Sequence, residues 1–213
     1  MLREVISNEW YTILIVLCLG ILAFAKYSYS TRFSDFVGLV GNSNYLKIYS
    51  KEQKFVDQFE ALLFINLIIS GSIFIFLCYS TLIETIEFNI LNLLKIVLAI
   101  GALLLIKVLL ERLIGSVFEI DQLIDDYLFQ KTNYKNYTGL LLLPVNIILI
   151  FAIQPNVVLI YSILGIIIAL NFLGFLSSFK SHQKVILGNF FYFILYLCAL
   201  EIGPYVILYK VIN

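Results

Sequence analysis

Four places in this chain hold residue types that could do chemistry, and each lies in or beside a long apolar stretch. Glu201 is a carboxyl near the middle of the last stretch, three residues before Pro204. Lys107 and Glu111 are four apart, a spacing that puts an ammonium and a carboxylate on one helix face and lets them pair. Lys95 lies about one helical turn inside the same stretch, near enough to its end to extend its ammonium into the interface. Asp121, Asp125 and Asp126 form an acidic run just after it. An ionisable group at bilayer depth costs about 2.5–3.5 kcal/mol on insertion scales, so each one needs a partner or a task. For Glu201 the task would be proton or ion coupling. The plain alternatives are a buried pair with a lysine or an uncharged buried carboxyl. At roughly 1.5 Å of rise per residue, Glu201 lies about 3 Å from the middle of its stretch, with Lys95 about 10 Å and Lys107 about 8 Å from the middle of theirs on opposite sides. Both lysines are near reach of Glu201, and the sequence does not choose between them.

The acidic run has its own alternatives. Clustered aspartates hold Mg²⁺-diphosphate in prenyl-transfer enzymes, but there the spacing is Asp-Asp-x-x-Asp. Here it is Asp-x-x-x-Asp-Asp, with no second acidic cluster to hold the paired metals such chemistry uses. Asp121, Asp125 and Asp126 are therefore expected either to dock on the basic segment or on a partner protein, or to form a solvated face. Asn66, Asn146 and Asn171 read as amides bonding between helices, while Ser70-Gly71-Ser72 and Gly165 read as points of close helix approach. The only histidine, His182, sits in a short lysine-flanked loop and makes no zinc site alone. Cys18, Cys78 and Cys198 each lie in an apolar stretch without metal-ligand spacing and read as small buried hydrophobes. There is no nucleophile elbow, zinc-protease helix or phosphate-binding loop. No catalytic residue, metal site or cofactor is assigned.

The elements that must position these residues follow from composition. Hydrophobic residues make up 62% of the 213 and charged ones 13%, and the mean hydropathy is +0.99. A soluble domain carries about a quarter charged residues, so lipid as well as a protein core must be the solvent here. Formal net charge is zero, which speaks against nucleic acid as a partner. A helix crossing the ~30 Å apolar core needs about 20 residues. Six stretches qualify, at about 10–29, 59–81, 91–113, 137–153, 156–177 and 188–212. The fold class is thus all-α, a single polytopic membrane bundle of about six transmembrane helices, with amphipathic cytoplasmic segments at about 30–58 and 115–136. Pro155 marks a tight turn, and Pro144 and Pro204 lie within spans, where neighbouring helices must satisfy the freed carbonyls. The first stretch follows Glu4 and Glu9 rather than a basic run, so it reads as a span and not a cleaved leader.

Alternate gaps between the spans hold ten basic residues (Lys26, Arg32, Lys47, Lys51, Lys54, Arg112, Lys131, Lys135, Lys180 and Lys184), while the opposite side holds three (Arg3, Lys95 and Lys210). Basic loops stay cytoplasmic, which predicts both termini outside the cytoplasm. In the first long gap, apolar Phe33, Phe36, Val37 and Val40 precede Gly41-Asn42-Ser43-Asn44, and the pattern resumes at Tyr45, Leu46, Ile48 and Tyr49. Two short amphipathic helices are expected, the second running into the second span, with Ser50 and Gln53 forming a capping box. The second gap places Phe118, Leu123, Ile124, Tyr127 and Leu128 on one face.

The run from Tyr192 through Glu201-Ile202-Gly203-Pro204, ending in Tyr209-Lys210, resembles the C-terminus of an integral membrane protein family from Bacteroidota, domain of unknown function 4271. Tyr137-Thr138-Gly139-Leu140 through Leu143-Pro144 resembles that family's fourth span. The resemblance implies a multi-pass inner-membrane protein and assigns no reaction. It makes Glu201 and Pro204 part of a matching stretch without making them catalytic. Three functions compete. The first is a non-enzymatic membrane subunit or assembly factor of a cell-envelope complex, partnered by the bilayer and by other membrane or cytoplasmic proteins. The second is a small ion-coupled transporter using Glu201. The third is a membrane enzyme acting on lipid-linked substrates, with the aspartate run as its only offer of a catalytic cluster.

Overall fold

A computed structural model of the chain describes residues 9–41, 44–50, 57–83, 90–117, 121–153 and 155–181. The order is α1 (Glu9–Ser28), α2 (Ser30–Val37), α3 (Asn44–Tyr49), α4 (Gln58–Leu82), α5 (Ile90–Val117), α6 (Asp121–Ile147), a π-helical turn (Ile148–Ala152) and α7 (Val157–Ser181). The fold is all-α. Among the described residues, five helices are long and apolar enough to cross a membrane: α1, α4, α5, α6 with its π turn, and α7. These features identify a multi-pass membrane protein. The stretch at 188–212, with Glu201 and Pro204, lies outside the described residues.

Without water, a helix satisfies its backbone polar groups internally, and hydroxyls too must find partners within the protein. Ser70, Ser72, Thr81, Thr138 and Ser162 each donate to the carbonyl four residues earlier, at 2.6–3.0 Å. That local bond lets a polar side chain sit in an apolar helix at little cost. α7 begins where Asn156 Oδ1 accepts from the Leu159 N–H at 2.8 Å. Asn156→Ala should cost about 0.5–2 kcal/mol, read as a lowered melting temperature of the detergent-solubilised protein.

α4 and α6 form the centre of the bundle. α4 packs against α1, α5 and α6, and α6 packs against α4, α5 and α7. Tyr29 meets Phe59 at one end of α1 and Tyr11 meets Phe76 at the other, so α1 and α4 are antiparallel. Asn133 lies against Glu60, and Asn146 lies against Ser70, so α4 and α6 run in parallel. Two apolar clusters fill the ends. One gathers Tyr11, Ile15, Ile73, Phe76, Leu93, Leu149 and Ile160. The other gathers Ala25, Phe36, Leu39, Tyr45, Phe59, Leu63 and Phe129 under α2 and α3.

Three expectations about elements change. The segment at 115–136 does not stand apart from a span beginning at Tyr137, because 121–147 is one helix. Its acids occupy the first two turns, where Asp121 suits the positive end of the helix dipole. No glycine or proline interrupts it until Gly139, so the helix propagates. The second short helix does not run into the second span either. α3 ends at Tyr49, and α4 starts afresh with Asp57 as N-cap, accepting from the Phe59 N–H at 3.0 Å. Gln53 of the expected capping box lies outside the described residues. The glycines at close approach also differ from those expected, although Ser70 does meet α6. A Cβ at Gly71 or Gly165 would meet nothing within 4 Å, whereas at Gly139 it would meet Leu67 Cα at 2.6 Å and at Gly174 it would meet Tyr134 Cγ at 2.5 Å.

Candidate functional site

Among the described residues the densest polar site lies at the α2–α3 end of the bundle and is centred on Arg32. Arg32 and Asp57 belong to the amphipathic segment expected at 30–58, and Glu60 falls at the start of the second expected span. Its signal was available, because Glu60 stands in the first turn of a 25-residue apolar helix. The fold brings these residues together by laying α2 and α3 across the ends of α1, α4 and α6. Phe36 anchors that cover, meeting Tyr45, Phe59 and Tyr137 edge-on at centroid distances of 5.5, 5.9 and 5.9 Å. Such pairs add about 0.5–1.5 kcal/mol each beyond burial.

Within this cover Arg32 Nη1 is bonded to Asp57 Oδ2, and Nη2 reaches Glu60 Oε1 at 3.4 Å. The guanidinium also lies over the rings of Tyr49 and Phe59, at 4.8 and 4.9 Å. Asn133 donates from Nδ2 to the same Glu60 oxygen at 3.4 Å and to the Phe129 carbonyl at 2.9 Å. The Tyr45 hydroxyl donates to Asn133 Oδ1 at 3.2 Å. Burial pushes the Tyr45 hydroxyl pKa up, which keeps it a donor. Burial acts to lower the Arg32 pKa, but Tyr45 and Asp57 outweigh it and hold the guanidinium above its ordinary value. Outer bonds complete the cover: Tyr49 donates to Asp35 at 3.2 Å and Tyr29 to Gln58 at 2.8 Å. The arrangement is one cation facing two carboxylates, fixed by amide and phenol donors. It binds helices to one another and holds no nucleophile beside a base. Among the described residues no three His, Cys, Asp or Glu side chains gather.

The residues singled out in the sequence are dispersed. Lys95 is exposed in the second turn of α5, and Lys107 is half-buried just over three turns further on. Glu111 is 1% exposed and accepts from Lys131 Nζ of α6 at 2.6 Å, a partner that i,i+4 spacing does not suggest. Asp125 Oδ1 lies 3.3 Å from Arg112 Nε of α5. Asp121 is exposed and Asp126 half-buried beside it. α6 does meet the first amphipathic segment, through Tyr45 against Phe129 and Asn133 and through Phe36 against Tyr137.

A polar seam continues up the α4–α6 interface. Ser70 Oγ donates to the Gly139 carbonyl at 3.0 Å, and Asn146 Nδ2 donates to the Ser70 carbonyl at 2.8 Å. Asn66 and Asn136 are completely buried, and neither amide atom of either has a hydrogen-bond partner among the described residues. Asn171 Nδ2 donates across to Thr138 Oγ1 at 3.3 Å.

A family model described as Domain of unknown function (DUF4271) matches residues 11–212. No curated protein matches the chain, and no solved structure does.

Proposed function

This chain belongs to the family described as Domain of unknown function (DUF4271), and from that premise we propose that it is a non-enzymatic membrane subunit or assembly factor of a cell-envelope complex. One observation carries the reading: the α2–α3 cover is a preformed platform. Its inner residues Phe36, Leu39, Tyr45 and Leu46 are buried, while Val37, Val40 and Ile48 are 46%, 46% and 53% exposed on its outside. The Arg32 cluster ties this platform to two long helices, α4 and α6, so a partner would meet it already ordered and the cost of ordering on binding would be small. The proposal places the protein in the inner membrane of a Bacteroidota cell, with the platform cytoplasmic and both termini periplasmic. The excess of basic residues on the platform's side supports that orientation.

The experiment is affinity purification of the tagged protein at native expression in mild detergent. A stoichiometric partner should be retained by the unmodified chain and by a control changed on the outer face of α5, such as Leu103→Ala. It should be lost in the Val40→Glu, Ile48→Glu variant. Equal retention in that variant, folded by circular dichroism, would remove the platform from the argument.

A second reading, a proton- or ion-coupled transporter, draws support from Asn66 and Asn136. An unsatisfied buried polar atom costs about 1–3 kcal/mol, and internal water is the usual remedy. A hydrated seam beginning at Glu60 would supply a carboxyl for proton movement in addition to Glu201, the coupling group expected from the sequence. Proton uptake by proteoliposomes that is abolished in Asn66→Leu, Asn136→Leu would favour this reading. Liposomes no leakier than empty ones would dismiss it.

A further inference from the structure

A groove of about 370 Å³ lies between the end of α5 and the start of α6. That is near the lower end of the ~300–1,000 Å³ typical of small-molecule sites. Leu109 and Leu113 give it an apolar side, and Arg112, Ser116, Asp121 and Asp125 give it a polar one. Its depth follows from length. The 28 residues of α5 span about 42 Å at 1.5 Å each, more than the ~30 Å apolar core. If Ile90 starts near one interface, the helix reaches the other near residue 110. Leu109, 58% exposed, then lies at the glycerol end of the acyl chains, and Arg112, Leu113, Ser116 and Asp121 lie at headgroup depth.

The charges select among headgroups. Arg112 and Asp125 pair across the helices at 3.3 Å, and Asp121 adds a second carboxylate to the lining. The groove therefore carries one cation and two anions, and an anionic headgroup meets net repulsion. A zwitterion with both ends accessible meets complementary groups. A guanidinium has five N–H donors, so it can hold Asp125 and a phosphate oxygen together. A primary ammonium can donate to both carboxylates, with charge-assisted bonds stronger than neutral ones. A quaternary ammonium has no hydrogen to donate.

We propose that the α5–α6 groove is a binding site for a zwitterionic phospholipid with a primary ammonium headgroup, phosphate on Arg112 and ammonium between Asp121 and Asp125, with the start of the acyl chains at Leu109. The site does not depend on the platform reading, since it lies on a different pair of helices from the exposed face of α2 and α3. Bound there, the lipid would bridge α5 and α6 at the interface.

The test is native mass spectrometry of the delipidated full chain, given equimolar phosphatidylethanolamine, phosphatidylcholine or phosphatidylglycerol of identical acyl chains. Phosphatidylethanolamine adducts should survive activation preferentially. The Asp121→Asn, Asp125→Asn variant should lose roughly tenfold in apparent affinity and retain phosphatidylethanolamine and phosphatidylcholine alike. Asp121→Asn alone changes an exposed residue and keeps the test open if the double variant does not fold. Water-soluble glycerophosphoethanolamine should not compete. Equal retention of the three lipids, an unchanged preference in the aspartate variants, or full competition by the soluble headgroup would each overturn the proposal.

Discussion

Arg32→Gln should lower the stability of the folded protein by about 3–5 kcal/mol, the usual penalty for removing one partner of a buried ion pair. The size follows from burial: the side chains of Arg32, Asp57 and Glu60 are only 16%, 20% and 20% exposed. Without the guanidinium, two carboxylates face each other under an aromatic cover, with Asn133 as the donor left to Glu60. The cation–π contacts with Tyr49 and Phe59 go as well. Thermal or denaturant unfolding in detergent reads the loss directly. Adding Asp57→Asn and Glu60→Gln should return much of it, because the neutral set leaves no uncompensated charge. A single Arg32→Gln variant within 1 kcal/mol of the parent would mean that water reaches the cluster and that the pairs are of the weak surface kind.

Gly139→Ala and Gly165→Ala make the same chemical change and should have opposite signs. Both glycines lie inside helices, where alanine gains about 1 kcal/mol of intrinsic helix propensity. At Gly165 the new methyl meets nothing within 4 Å, so that gain should appear. At Gly139 it meets Leu67 Cα at 2.6 Å and Cβ at 2.8 Å. A backbone atom cannot rotate away, so α4 and α6 must separate. Overpacking costs about 1–3 kcal/mol, and separation also strains the Ser70–Gly139 and Asn146–Ser70 bonds. A net loss of stability is expected, with a lowered melting temperature and faster proteolysis near the platform. A stabilised Gly139→Ala would show that the α4–α6 contact is looser than drawn.

The Glu111 carboxyl shows what packing adds to spacing: Lys107 lies on the same helix face, and Lys131 of α6 reaches Glu111 at 2.6 Å from a neighbouring helix. Similarly, Phe36 and Val37 belong to one apolar pattern in the sequence, but Phe36 is fully buried and Val37 is 46% exposed. Glu60 carries little hydropathy signal in the sequence because it falls on the boundary between a polar gap and a span, where hydropathy changes slowly.

What could be read from residues alone is what the solvent imposes. A backbone in hydrocarbon must be helical, and a helix must be long enough to cross, so the helical class and the positions of α1, α4, α5 and α7 follow from local composition. Which face of each helix meets which neighbour does not follow. Faces toward lipid and faces toward protein are both apolar here, so the hydropathy pattern carries little information about azimuth or register. The meeting of Arg32 with Asp57 and Glu60 joins residues 25 and 28 positions apart, and that of Glu60 with Asn133 joins residues 73 apart. Those meetings exist because Gly139 lets α6 seat against Leu67 and because Phe36 holds α2 over the bundle's end. Both are facts of packing, settled by shape at close range.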